Sequence, residues 1–123
     1  MAYMTDRKRA EGYGSAKSGT LHHWGMTVTS YALIVLVPLF IFTFGPMLGE
    51  SHIEVLAYFS RPFPAIVAAL TLAVGMHHFK NGAKTAIEDY IHGLRGRLLV
   101  IAVTCLAYAI AAIGIFAIAR MAL

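Results

Sequence analysis

Three stretches of this chain run without a charge for long enough to cross a bilayer, and polar residues gather at their ends. From Trp24 to Leu48 there are 25 uncharged residues. As an α-helix rising about 1.5 Å per residue, such a run exceeds the roughly 30 Å of a hydrocarbon core. Pro62 to Phe79 add 18 more between Arg61 and Lys80, and Leu98 to Ala119 another 22 between Arg97 and Arg120. Because lipid offers no partner to a free N–H or C=O, spanning segments are helices or closed barrels. The pattern predicts an all-α integral membrane protein with three transmembrane helices, spanning about residues 24–48, 62–90 and 98–120. Residues 24–123 form the anchor domain, behind a polar segment over residues 1–23. The polar leader, and an apolar run longer than the 7–15 residues of a signal-peptide core, predict that the first span stays in the mature protein.

Composition removes several classes of function. With 59% hydrophobic and 13% charged residues and a mean hydropathy of +0.69, the chain fits neither a soluble domain nor a disordered one. The net charge of +4 therefore implies no nucleic-acid partner; it records topology. Arg7, Lys8, Arg9, Lys17, Lys80, Lys84, Arg95 and Arg97 lie on one side of the predicted membrane, against Arg61 and Arg120 on the other. The positive-inside rule then puts the N-terminus in the cytoplasm and the C-terminus in the periplasm. The leader has no apolar period and is expected to be mobile unless a partner holds it. A lone cysteine, Cys105, excludes an internal disulfide and a thiolate metal cluster and reads as a small buried apolar residue.

Chemistry concentrates in the second span. His77, His78, Lys80, Asn81, Lys84, Glu88, Asp89 and Tyr90 crowd its second half and the extension beyond it, and polar residues in a membrane helix call for a reason. At 100° per residue, with His78 at zero, Gly75 falls near 60°, Gly82 near 40°, Thr85 near −20° and Asp89 near 20°. One stripe thus carries a histidine, two glycines, a threonine and an aspartate. His78 has two readings. As a neutral imidazole it can ligate haem iron, with glycines a turn away giving a flat macrocycle room; as a packing residue it hydrogen-bonds a neighbouring helix. His77 points about 100° away and is the weaker candidate. His22 and His23 sit at the mouth of the first helix and His52 on the outer loop, so a six-coordinate haem requires a ligand from a partner subunit. Asp89 and Tyr90 follow His78 by about 16 Å along the axis, near the headgroup boundary. There a phenol can donate to a quinone carbonyl and a carboxylate can pass protons, or both can simply sit in the interfacial belt.

The rest of the chain has plainer readings. Lys80, Lys84 and Glu88 share a second face, where the lysines snorkel towards headgroups and Lys84 meets Glu88 at i,i+4. His92 and Gly93 to Arg97 read as a turn. Trp24 reads as an interfacial anchor, Pro38 as a kink, and Ala107, Ala111, Gly114 and Ala117 as a close-packing surface.

The run His78-Phe-Lys-Asn-Gly82, followed by Glu88-Asp89-Tyr90-Ile91-His92, resembles the H-x-x-x-G and D-Y signature of the hydrophobic membrane anchor subunits of succinate dehydrogenase, respiratory complex II. The leader Thr5-Asp6-Arg7-Lys8-Arg9, then Gly14-Ser15-Ala16-Lys17-Ser18-Gly19-Thr20 and His22-His23-Trp24, resembles the alphaproteobacterial branch. The resemblance implies that His78 is one of two axial ligands of a b-type haem, its iron shared with a cytochrome b anchor subunit. It implies that Tyr90 hydrogen-bonds ubiquinone, the substrate, and that Asp89 supports that site. An iron–sulfur subunit and a flavoprotein subunit are the implied soluble partners, in a bacterial inner membrane and in a complex able to trimerise. Family members often carry an arginine near the start of the first helix, where it can pair with a haem propionate or organise the quinone pocket. Gly25-Met26-Thr27-Val28-Thr29-Ser30 holds none, leaving Lys80 or a partner to supply the charge. The alternative from another class is a purely structural anchor or assembly subunit without haem. A transporter half ranks last, because the first and third spans are nearly free of polar residues.

Overall fold

The computed structural model describes residues 4–12, 14 and 18–123; Ser15, Ala16 and Lys17 of the leader lie outside them. The described residues form five α-helices: α1 (Asp6–Glu11), α2 (Ser18–Phe44), α3 (His52–Phe59), α4 (Pro62–Tyr90) and α5 (Gly93–Ala122), with a 3-10 turn at Gly45–Met47 after α2. Three of them are long and apolar enough to cross a membrane: Gly19–Met47, Pro62–Tyr90 and Gly93–Ala122. The helix α4 lies between the other two long helices and packs against both.

Two short helices stand where the hydrophobic pattern gave none. In the leader, Thr5 caps α1 by accepting from the Lys8 N–H at 3.3 Å, and Arg7 pairs with Glu11 at 2.9 Å, but α1 buries no residue. Between the first two spans, α3 begins with a capping box. Ser51 accepts from the Glu54 N–H, while the Glu54 carboxylate accepts from the Ser51 hydroxyl at 2.6 Å and its N–H at 3.0 Å. These hydrogen bonds, the hydroxyl's first, hold the Glu54 carboxyl below the usual glutamate range. Phe59 at the other end of α3 is buried and tilts against Phe44 at 6.2 Å between ring centroids, tying α3 to the end of α2. His52 accordingly sits in a helix rather than an irregular loop.

The turn between α4 and α5 is shorter than the glycines and arginines suggest. Gly93 to Arg97 belong to α5, so only Ile91 and His92 separate the two helices. Gly93 takes a positive φ of 75°, which reverses the chain without a side-chain clash. Gly96 is buried against Ile91, where any Cβ would collide with the Ile91 carbonyl. These glycines allow close backbone approach and do not break the helix. Further along, Gly114 lies under the Leu72 side chain and Ala107 is 1% exposed, so part of the predicted small-residue surface is the α4–α5 seam; Ala117 faces outwards. Cys105 is exposed rather than buried, because only one side of α5 meets the chain's other helices. The helix α2 runs unbroken through Pro38.

The α2–α4 seam has a regular polar register. Thr71, which donates to the Val67 carbonyl of its own helix at 2.7 Å, comes within 3.5 Å of the Leu36 carbonyl, Thr29 meets His78 at 2.8 Å, and His22 meets Thr85 at 3.2 Å. Each step is seven residues down α2 and seven up α4. That is the spacing by which two antiparallel helices keep returning the same edges to one another.

Candidate functional site

His78 lies near the middle of this seam and is half-buried. Its Nδ1 is 2.8 Å from Thr29 Oγ1, and among the described residues no group hydrogen-bonds Nε2. Thr29 Oγ1 also lies 2.9 Å from the Gly25 carbonyl and 3.0 Å from that of Met26, the usual back-bonding of a threonine inside a helix. The two stripe glycines differ. A Cβ at Gly75 would meet nothing within 4 Å, so that side of α4 is open, whereas one at Gly82 would make ordinary contact with Met26 of α2 at 3.8 Å.

Towards the C-terminal end of α4 the seam opens into a groove of about 440 Å³, inside the 300–1,000 Å³ range of small-ligand sites. It is lined by His22, His23 and Met26 from α2 and by Thr85, Asp89 and Tyr90 from α4. Thr85 donates to its own helix at the Asn81 carbonyl, 3.1 Å away, and meets His22 Nε2 across the seam. Asp89 is exposed and makes no ion pair among the described residues. Tyr90 closes α4 and is 85% exposed. The structure therefore brings Asp89 and Tyr90 together with two histidines of α2. His78 is not in the groove wall but sits deeper, about two turns from Thr85.

The charged face of α4 is partly as expected. Lys84 and Glu88 pair at 3.8 Å. Lys80 does not snorkel to headgroups: its Nζ donates to the Tyr108 hydroxyl of α5 at 3.1 Å and lies 5.2 Å from that ring's centroid. Side chains on a helix lean towards its N-terminus, which carries the Lys80 stem away from the Tyr90 end and onto α5. Lys80 is thereby on the face of α4 turned from His78 and engaged with Tyr108. His77 is exposed. His92 caps α5 and, with Glu88, Gly96 and Arg97, lines a separate groove of about 530 Å³ on the α5 side.

Thr29, His22 and Thr85 are the site residues that sequence reasoning left unassigned or placed without partners. Their signal was present as the seven-residue spacing of His22 and Thr29, and of Thr71, His78 and Thr85.

Comparison with known proteins identifies the family. The family model described as succinate dehydrogenase/fumarate reductase transmembrane subunit matches residues 1–116. The succinate dehydrogenase hydrophobic membrane anchor subunit of Paracoccus denitrificans is 46% identical over 123 residues, covering 100% of this chain and 95% of that protein. Its counterpart in Rickettsia conorii is 33% identical over 97 residues, 76% of each chain. The succinate dehydrogenase membrane anchor subunit of Reclinomonas americana is 27% identical over 88 residues, 69% of this chain and 73% of that one. No solved structure matches the chain. The chain belongs to the succinate dehydrogenase/fumarate reductase transmembrane subunit family, as a multi-pass membrane anchor subunit of succinate dehydrogenase in the bacterial inner membrane.

Proposed function

We propose that this anchor subunit, besides tethering its catalytic partners, ligates the iron of a b-type haem through His78 and forms part of the ubiquinone-reduction site with Asp89 and Tyr90. The observation that carries this reading is the division of roles on one imidazole. Nδ1 of His78 is held at 2.8 Å by Thr29, and Nε2 has no hydrogen-bond partner among the described residues. A histidine needed only for packing gains nothing from a free nitrogen in the membrane, whereas an iron ligand requires one. The open side of α4 at Gly75 is compatible with a flat group approaching the backbone.

His78 would hold the iron from this side, and a companion cytochrome b subunit would supply the second axial ligand, since His22, His23 and His52 all lie far from His78 in depth. When bound, the haem supplies a one-electron redox centre inside the membrane. Reduction of a quinone takes up two electrons and two protons. The groove lined by Asp89 and Tyr90 opens at the end of the helices, where water and a docked iron–sulfur subunit can both reach it. The Tyr90 phenol would donate to a quinone carbonyl, and the exposed Asp89 carboxylate would exchange protons with water. The excess of Lys and Arg at this end argues that it faces the cytoplasm, with the C-terminus in the periplasm. That end is also where the flavoprotein and iron–sulfur subunits would bind.

A purely structural anchor is the second reading, favoured by the same Thr29 contact, because one hydrogen bond across a helix seam also serves packing. The reduced-minus-oxidised optical spectrum of the purified complex separates the two. His78→Ala, with all subunits retained, is expected to lose the b-haem bands. Unchanged bands would leave His78 a packing residue.

A further inference from the structure

Thr29 lies within hydrogen-bond distance of three atoms but owns one proton. The Gly25 and Met26 carbonyls, at 2.9 and 3.0 Å, can only accept, and a threonine inside a helix commonly gives its hydroxyl proton to such a carbonyl of its own helix. What the oxygen presents to His78 Nδ1, at 2.8 Å, is then a lone pair, and Nδ1 must carry the hydrogen. A neutral imidazole protonated at Nδ1 has its lone pair on Nε2. We infer that Thr29 is a positioning residue for the iron ligand: its hydroxyl fixes the tautomer and ring plane of His78 and leaves the Nε2 lone pair directed away from α2.

The inference rests on the reading of His78 as a haem ligand and adds an electronic consequence. An acceptor on Nδ1–H makes the imidazole a stronger donor through Nε2. Stronger donation favours the ferric over the ferrous state, so the Thr29 hydroxyl lowers the haem potential. The residue acts through His78 and touches no substrate. Thr29→Val keeps the size and branching of the side chain and removes the hydroxyl, with both its contact to Nδ1 and its back-bond to α2, while Thr29→Ser keeps the hydroxyl and both.

The test is a redox titration of the haem in the intact purified complex, with the low-spin ferric EPR signal read in parallel, for wild type, Thr29→Val, Thr29→Ser and His78→Ala. The expected result is a more positive haem potential and an altered EPR anisotropy in Thr29→Val, with Thr29→Ser close to wild type and no haem in His78→Ala. If Thr29→Val fails to assemble, Thr29→Ala removes the same acceptor with less bulk and carries the comparison. Loss of haem in His78→Ala together with a wild-type potential and EPR signal in the Thr29 variants would overturn the role of Thr29 and leave His78 a ligand. Haem retained in His78→Ala would remove the ligand reading itself, and the inference with it.

Discussion

Tyr90 ends α4 with its ring in the open, beside a groove whose other wall is the start of α2. If its phenol donates to a quinone carbonyl, Tyr90→Phe removes one hydrogen bond and little else, since a ring so exposed packs against almost nothing in this chain. A hydrogen bond of about 1.4 kcal/mol corresponds to roughly a tenfold loss. Succinate:quinone activity is therefore expected to fall about tenfold while succinate oxidation by an artificial acceptor holds. Equal losses, or none, would place the quinone elsewhere. His78 and Asp89 could be grouped from sequence because residues on one helix keep fixed angular relations, so their stripe was calculable before any fold was known, whereas Tyr90 came from its distance along the axis and the D-Y resemblance. The partners across the seam were not calculable in that way. Whether His78 faces Thr29 or a neighbour depends on how two helices are rotated against each other, and neither sequence states that alone. Lys80 was misassigned for a related reason: a lysine near a membrane boundary was expected to reach for water, but the lean of its Cα–Cβ bond and a phenol on the adjacent helix direct it to Tyr108 instead.

At the scale of elements, the turn from α4 into α5 sets how the two helices meet, and it leaves Ile91 at the end of α4 over Gly96. Gly96→Ala would press a methyl group against the Ile91 carbonyl, which belongs to the backbone and cannot swing aside. Overpacking of this kind costs about 1–3 kcal/mol, so the variant complex should show a lowered thermal midpoint or poor assembly. A Gly96→Ala complex as stable as wild type would mean that the turn adopts a different path. The sequence shows three long helices plainly, through the length of their uncharged runs. It misleads at the turn, because Gly93, Arg95, Gly96 and Arg97 look like loop composition while close approach between helices is what the glycines provide. The helix α3 was hidden for the opposite reason: its eight residues are too few for an apolar period to stand out, and the Ser51–Glu54 capping box was the available signal.

Taken as a whole molecule, the chain leaves most of the large apolar side chains among its described residues exposed and buries few apolar residues, among them Phe59, Val67 and Ala107. A soluble protein could not present such a surface. A membrane subunit can, with lipid on some faces and other polypeptides on the rest. The single-chain seam carries His78 and the groove of Asp89 and Tyr90 on α4, the helix with a long neighbour on each side, so both proposed redox contacts rest on the most supported element of the fold. On the proposed haem-ligand reading, the site is completed by a neighbouring subunit, since one histidine at the right depth cannot provide two axial ligands. The measurement that tests the claim most directly is a cryo-electron microscopy map of the purified complex with its membrane subunits intact. Ligation by His78 predicts porphyrin density with Nε2 at bonding distance from the iron and Thr29 still at Nδ1. A well-resolved His78 facing lipid or protein, with no porphyrin beside it, would contradict that claim.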